Sequence, residues 1–98
     1  MDINKLMQQA QAMQKQLEDA NKQLNAMEFE GSASNGLAKV VVNGEFRVVS
    51  VSIDPSILNA DDKEMIEELI MIATNNANEK VDQAKKEKFG SMTQGLKF

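Results

Sequence analysis

The sequence predicts an α+β fold in the order helix, three antiparallel strands, helix, and three observations predict it. Apolar residues recur at alternating steps of three and four at Ile3, Leu6, Ala10, Met13, Leu17, Ala20, Leu24 and Met27, the spacing of a coiled-coil seam. Asn43-Gly44 then stands between two β-branched runs, a short-range signature of a hairpin. Finally, Asp61-x-x-Glu64 precedes a long amphipathic stretch, as a capping box precedes a helix.

The first helix is expected from about Asp2 to Met27, with Asp2 near its N-cap and no Pro or Gly inside it. At 1.5 Å per residue it would be roughly 38 Å long, against about 30 Å for a compact domain of this size, so one end must project. A projecting apolar seam needs a partner. Gln8, Gln9, Gln11, Gln14, Gln16 and Gln23 leave its flanks without the charge pairing that selects a foreign helix, so a second copy of the same seam is the simplest one. The chain therefore reads as a homodimer, with Leu6, Met13, Leu17, Leu24 and Met27 as candidate interface residues.

Glu28 to Ala33 alternates around Phe29 and predicts a short strand, followed by the turn Gly31-Ser32-Ala33-Ser34-Asn35-Gly36. A second strand is expected over Leu37 to Val42, a type I′ turn at Val42-Asn43-Gly44-Glu45, and a return strand over Phe46 to Ile53. In the return strand Val49, Val51 and Ile53 alternate with serines, which predicts one apolar face under a helix, while Phe46 and Val48 point to the other face. Asp54-Pro55-Ser56 stops that strand. The second helix opens at Asp61, buries Ile66, Leu69, Ile70, Ala73, Ala77, Val81 and Ala84, and is expected to end near Phe89-Gly90. The organisation is a single domain over residues 1–90 and a disordered tail over 91–98.

The 98 residues carry a net charge of −4, unevenly spread: residues 1–27 are balanced, 28–79 are strongly acidic and 80–98 are basic. An acidic far field does not attract nucleic acid, so such binding would need local clusters doubled by a dimer. There is no Cys, hence no disulfide framework, and no His, hence neither the usual general base nor an imidazole metal ligand. The carboxylates Asp61, Asp62, Glu64, Glu67 and Glu68 read as complements to the helix dipole rather than a cation site. No enzyme, catalytic residue, metal, cofactor or small-molecule substrate is expected. Met1-Asp2-Ile3-Asn4 does not open a secretory signal, and the longest apolar run, Leu69 to Ala73, is too short for a bilayer, which predicts a soluble cytoplasmic protein without a membrane partner. The methionines read as packing. What remains is lysine: Lys15 and Lys22 one heptad apart on the face opposite the seam, and Lys85, Lys86 and Lys88 late in the second helix.

The glutamine- and methionine-rich stretch Met7-Gln8-Gln9-Ala10-Gln11-Ala12-Met13-Gln14, Gly36-Leu37 leading to Val42-Asn43-Gly44, Val51-Ser52-Ile53-Asp54-Pro55-Ser56, Asp61-Asp62-Lys63-Glu64 and Asn75-Asn76-Ala77 occur in one order over nearly the whole chain. Together they resemble the YbaB/EbfC family of bacterial nucleoid-associated proteins. The resemblance implies an intertwined, tweezer-like homodimer of α-β-β-β-α subunits that binds DNA of the nucleoid and affects gene expression. It supplies no catalytic residue, so candidate DNA contacts are assigned by charge: Lys15, Lys22, Lys85, Lys86 and Lys88, with glutamines as tolerant polar contacts. Two other readings stand beside it. One is a dimeric adaptor for a DNA repair or recombination protein, docking through the acidic start of the second helix. The other is a prefoldin-like holdase, which shares the order helix, hairpin, helix but requires the two helices to pair and project together.

Overall fold

A computed structural model describes residues 2–93. Helix α1 (Ile3–Ala26) leads to three strands, β1 (Glu28–Ala33), β2 (Ala38–Asn43) and β3 (Val48–Ile53), then to two short 3-10 turns (Pro55–Ile57 and Ala60–Asp62) and helix α2 (Lys63–Thr93). The strands form an antiparallel sheet in the order β1-β2-β3. The expected α-β-β-β-α subunit is therefore the observed one. Its shape is long, 72 × 22 × 16 Å, and its radius of gyration is 19.7 Å, whereas a compact chain of this length gives about 13 Å.

The projection comes from α1. Asp2 caps it, its Oδ1 accepting from the Asn4 backbone N–H at 3.0 Å, and only Ala20 and Leu24 along it are buried. Helix α2 lies across the sheet instead. Leu69, Ala73, Ala77 and Val81 pack on Ala33 of β1 and on Ala38, Val40 and Val42 of β2. Small residues set this position. A Cβ on Gly31 would stand 2.1 Å from the Ala73 carbonyl oxygen and 2.4 Å from the Ala77 nitrogen, so the helix backbone rests directly on β1. The outer edge of β1 is closed by the same helix: Asn76 Oδ1 accepts from Ser32 N–H at 3.3 Å, and Lys80 Nζ donates to the Glu30 carbonyl at 2.6 Å. An edge so capped cannot template another strand. Helix α1 is uncovered along most of its length while α2 packs on the sheet, so the two helices are not paired along their length as a prefoldin requires.

The structure corrects the expected covering of β3. Its residues are exposed or half-buried throughout, because α2 is drawn over β1 and β2 by their small side chains. It also corrects the expected facing of Val48. Val41 pairs with Ser50 but Val42 pairs with Val48, so Val49 is an extra residue in a β-bulge and the alternation changes phase there. Val48, Val51 and Ile53 consequently share the sheet face of Val42, Val40 and Ala38, the face that α2 packs on.

The hairpin is also not a type I′ turn, since neither Asn43 nor Gly44 has a positive φ. Asn43 N–H donates to the Arg47 carbonyl at 2.9 Å and Phe46 N–H to the Asn43 carbonyl at 3.0 Å, which defines a three-residue loop, Gly44-Glu45-Phe46, with Phe46 left-handed at φ 63°. At the start of α2 the capping box does not form. Asp61 lies within the second 3-10 turn, whose cap is Asn59, and α2 begins only at Lys63. The helix does not stop at Gly90 either; it continues to Thr93, and residues 94–98 of the expected tail lie outside the described residues.

Candidate nucleic-acid interface

Three elements converge at one end of the sheet. Leu24, near the end of α1, is 1% exposed, and its carbonyl lies so close to the tip of the β2–β3 hairpin that a Cβ on Gly44 would be 2.0 Å from the oxygen. From α2, Lys88 Nζ donates to Gln23 Oε1 of α1 at 3.1 Å. One turn earlier on α2, the Lys85 ammonium sits 4.5 Å from the centroid of the Phe46 ring, a cation–π geometry. Val81, one turn earlier again, is fully buried. The junction is thus pinned from below by apolar packing and carries its cations on top.

Of the five lysines assigned from sequence, Lys85 and Lys88 belong directly to this junction. Lys22 immediately precedes Gln23 on α1. Lys15 is farther out, about 10.5 Å along α1 at 1.5 Å per residue. Lys15 and Lys22 line a shallow groove with Gln11, Gln14, Glu18 and Asp19, so the outer part of α1 presents mixed charge rather than a positive stripe. Lys86 is exposed on α2. The ion pairs among the described residues are Lys39 with Glu30 and Lys63 with Glu67, neither of which uses a candidate lysine.

Sequence reasoning missed two contributors to this site. Phe46 was read as a strand residue, and no local signal marks an aromatic residue for a left-handed loop position. Arg47, exposed next to it in sequence, belongs to no motif that singles it out. The candidate interface residues fall in two groups. Leu6, Met13 and Leu17 on α1 and Met27 at its C-cap are exposed, between 38% and 47%, whereas Leu24 is already taken up inside its own chain.

Elsewhere, Asn78 Oδ1 is buried without a hydrogen-bond partner among the described residues. Asp54 Oδ1 accepts from Ser56 N–H at 2.9 Å, which caps the first 3-10 turn and holds the Asp54 carboxyl below the usual carboxylate range. Among the described residues, no group of three or more Asp or Glu is placed to hold a metal ion, and no helix is long and apolar enough to cross a membrane.

The junction offers cations and one exposed ring on a rigid frame, which is the equipment of a binding protein. The sequence profile of the YbaB/EbfC DNA-binding family matches residues 1–96, and the chain belongs to that family. Its relatives agree. A nucleoid-associated protein of Xylella fastidiosa strain 9a5c is 48% identical over 95 residues, covering 97% of this chain and 87% of the relative. A second, from strain Temecula1, is 47% identical and covers 97% and 88%. In structure, the chain resembles the uncharacterized protein HP0035 from Helicobacter pylori, with a TM-score of 0.77, 25% identity, and coverage of 94% of this chain and 97% of that one. The family is named for DNA binding and the two Xylella relatives for nucleoid association, names of binding proteins and not of enzymes.

Proposed function

We propose that the protein works as an intertwined, tweezer-like homodimer that holds duplex DNA of the bacterial nucleoid, in the cytoplasm, through lysines and polar side chains on its two helices. Effects on nucleoid organisation and gene expression would follow from that binding. The observation that carries the reading is the meeting of α1, the hairpin tip and α2 in a junction bearing Lys85 and Lys88. Lys85 and Lys88 bring positive charge to this end of a chain whose net charge is −4. Twofold symmetry would present the lysines twice and so double the cations that can meet phosphates, although the acidic remainder doubles with them.

Pairing is supported by what the subunit leaves uncovered. Ile3, Leu6, Met13 and Leu17 along α1, and Val48, Val49 and Val51 on β3, are exposed apolar side chains. Monomeric proteins rarely present apolar surface so extended, and a second copy is a partner that matches it by construction.

The test is a mobility-shift titration with random-sequence duplex. If about five phosphates are neutralised per dimer, affinity falls roughly 10² to 10³-fold between 50 and 200 mM salt. Lys85→Gln and Lys22→Gln, each present twice, should lower the salt slope by about two. A flat salt response removes the mechanism.

A further inference from the structure

Phe46 is an unexpected residue for its place. In a three-residue hairpin loop the left-handed position is ordinarily glycine, because a side chain there is strained and a bulky one more so. Phe46 nevertheless sits at φ 63° with 40% of its surface exposed. The turn does not need the ring, and the fold only partly covers it.

The tip that carries the ring is fixed. Asn43 Oδ1 accepts from both Glu45 N–H at 2.8 Å and Arg47 N–H at 3.1 Å, and Gly44 is pressed onto the end of α1. One cation lies over the ring, Lys85 at 4.5 Å from its centroid; Arg47 follows Phe46 in sequence and Glu45 precedes it, and Lys88, one turn beyond Lys85 on α2, is bonded to Gln23. A rigid, exposed apolar wedge flanked by phosphate-binding groups suits a duplex, where a side chain enters between base pairs while its neighbours hold the backbone.

We propose that the hairpin tip is a DNA-deforming contact, in which Phe46 wedges against a base step and Lys85 and Arg47 meet the adjoining phosphates. This rests on the DNA-binding reading above and adds to it a bend and the residue that makes it. Phe46 would leave sequence preference weak, favouring easily unstacked steps rather than reading base edges.

Two variants of the full chain test it. The protein has no Trp and no Tyr, so Phe46→Trp introduces a single fluorophore at the tip. Its emission is expected to be quenched on saturation with duplex at 50 mM salt, as the indole stacks on bases. Phe46→Gly suits the left-handed position better, so the fold is retained, with a melting temperature equal to or above that of the parent. Its duplex affinity is expected to fall at least about fivefold with the salt slope unchanged, and the end-to-end energy transfer of a doubly labelled duplex should return to the unbent value. Parent-like affinity and bending by Phe46→Gly overturn the proposal while leaving the DNA reading intact. So does Phe46→Trp emission that is already shielded without DNA and unchanged by it, the result expected if the ring faces a second copy. Should Phe46→Gly lose its circular dichroism, the Phe46→Trp titration decides alone. Absence of duplex binding by the parent chain overturns both readings.

Discussion

The α carbon of Gly44 rests on the backbone of Leu24: a Cβ there would stand 2.0 Å from the carbonyl oxygen and 2.5 Å from the carbonyl carbon. The atoms met are backbone atoms of α1, which cannot step aside as a flexible side chain could. Gly44→Ala is therefore expected to push the end of α1 off the hairpin, loosening the Lys88–Gln23 bond with it. The cost should be about 1–3 kcal/mol in urea denaturation, with weaker DNA binding. An unchanged midpoint would show that α1 is not docked there.

The two glycines of the helix–sheet system should respond in opposite ways. Gly31→Ala forces a methyl group against Ala73 and Ala77, where α2 has no room, and is expected to cost about 1–3 kcal/mol or more. Gly90 lies within α2 and an added Cβ there meets nothing within 4 Å. Gly90→Ala should therefore stabilise by roughly 0.5–1 kcal/mol, by helix propensity alone. A stabilising Gly31→Ala, or a destabilising Gly90→Ala, would contradict the packing described.

Acid should release the first 3-10 turn. The Asp54 carboxylate accepts from Ser56 and is held below the usual range, so its folded value is lower than its unfolded one. The stability it contributes is present above the unfolded value and is lost as pH falls through the folded one. Asp54→Asn should lower the melting temperature at neutral pH, and its difference from the parent should narrow as pH falls through and below the ordinary Asp range. Parallel melting curves across that range would remove the cap from the account.

Leu17→Lys places a charge midway along the exposed seam of α1. If the seam pairs with a second copy, the variant should dissociate and lose helicity, because a charge buried against apolar side chains is expensive. A variant that remained a folded dimer by light scattering would refute the seam as the interface.

Much of this was legible in the residues. The three-four repeat from Ile3 to Met27 marked a helix too long for its domain, and the core stripe of α2 was readable at Leu69, Ala73, Ala77 and Val81. What could not be read was phase and placement. Nothing in Val48-Val49-Ser50 announces a bulge, yet it moves Val48 to the other face. That α2 would settle over β1 and leave β3 uncovered depends on the absence of a side chain at Gly31, which matters only once the helix is against it. The lysines were visible as charges. Their grouping was not, since Lys88 meets Gln23 across 65 residues of sequence and Lys85 meets a phenylalanine whose backbone conformation breaks the local rule.

The proposed DNA binding depends on the exposed apolar faces of α1 and β3 pairing with a second copy. Sedimentation equilibrium on the full chain at micromolar concentration measures this directly. Twice the 10.9 kDa chain mass, with both helices intact by circular dichroism, is the result expected. A well-folded species at the single-chain mass would contradict it.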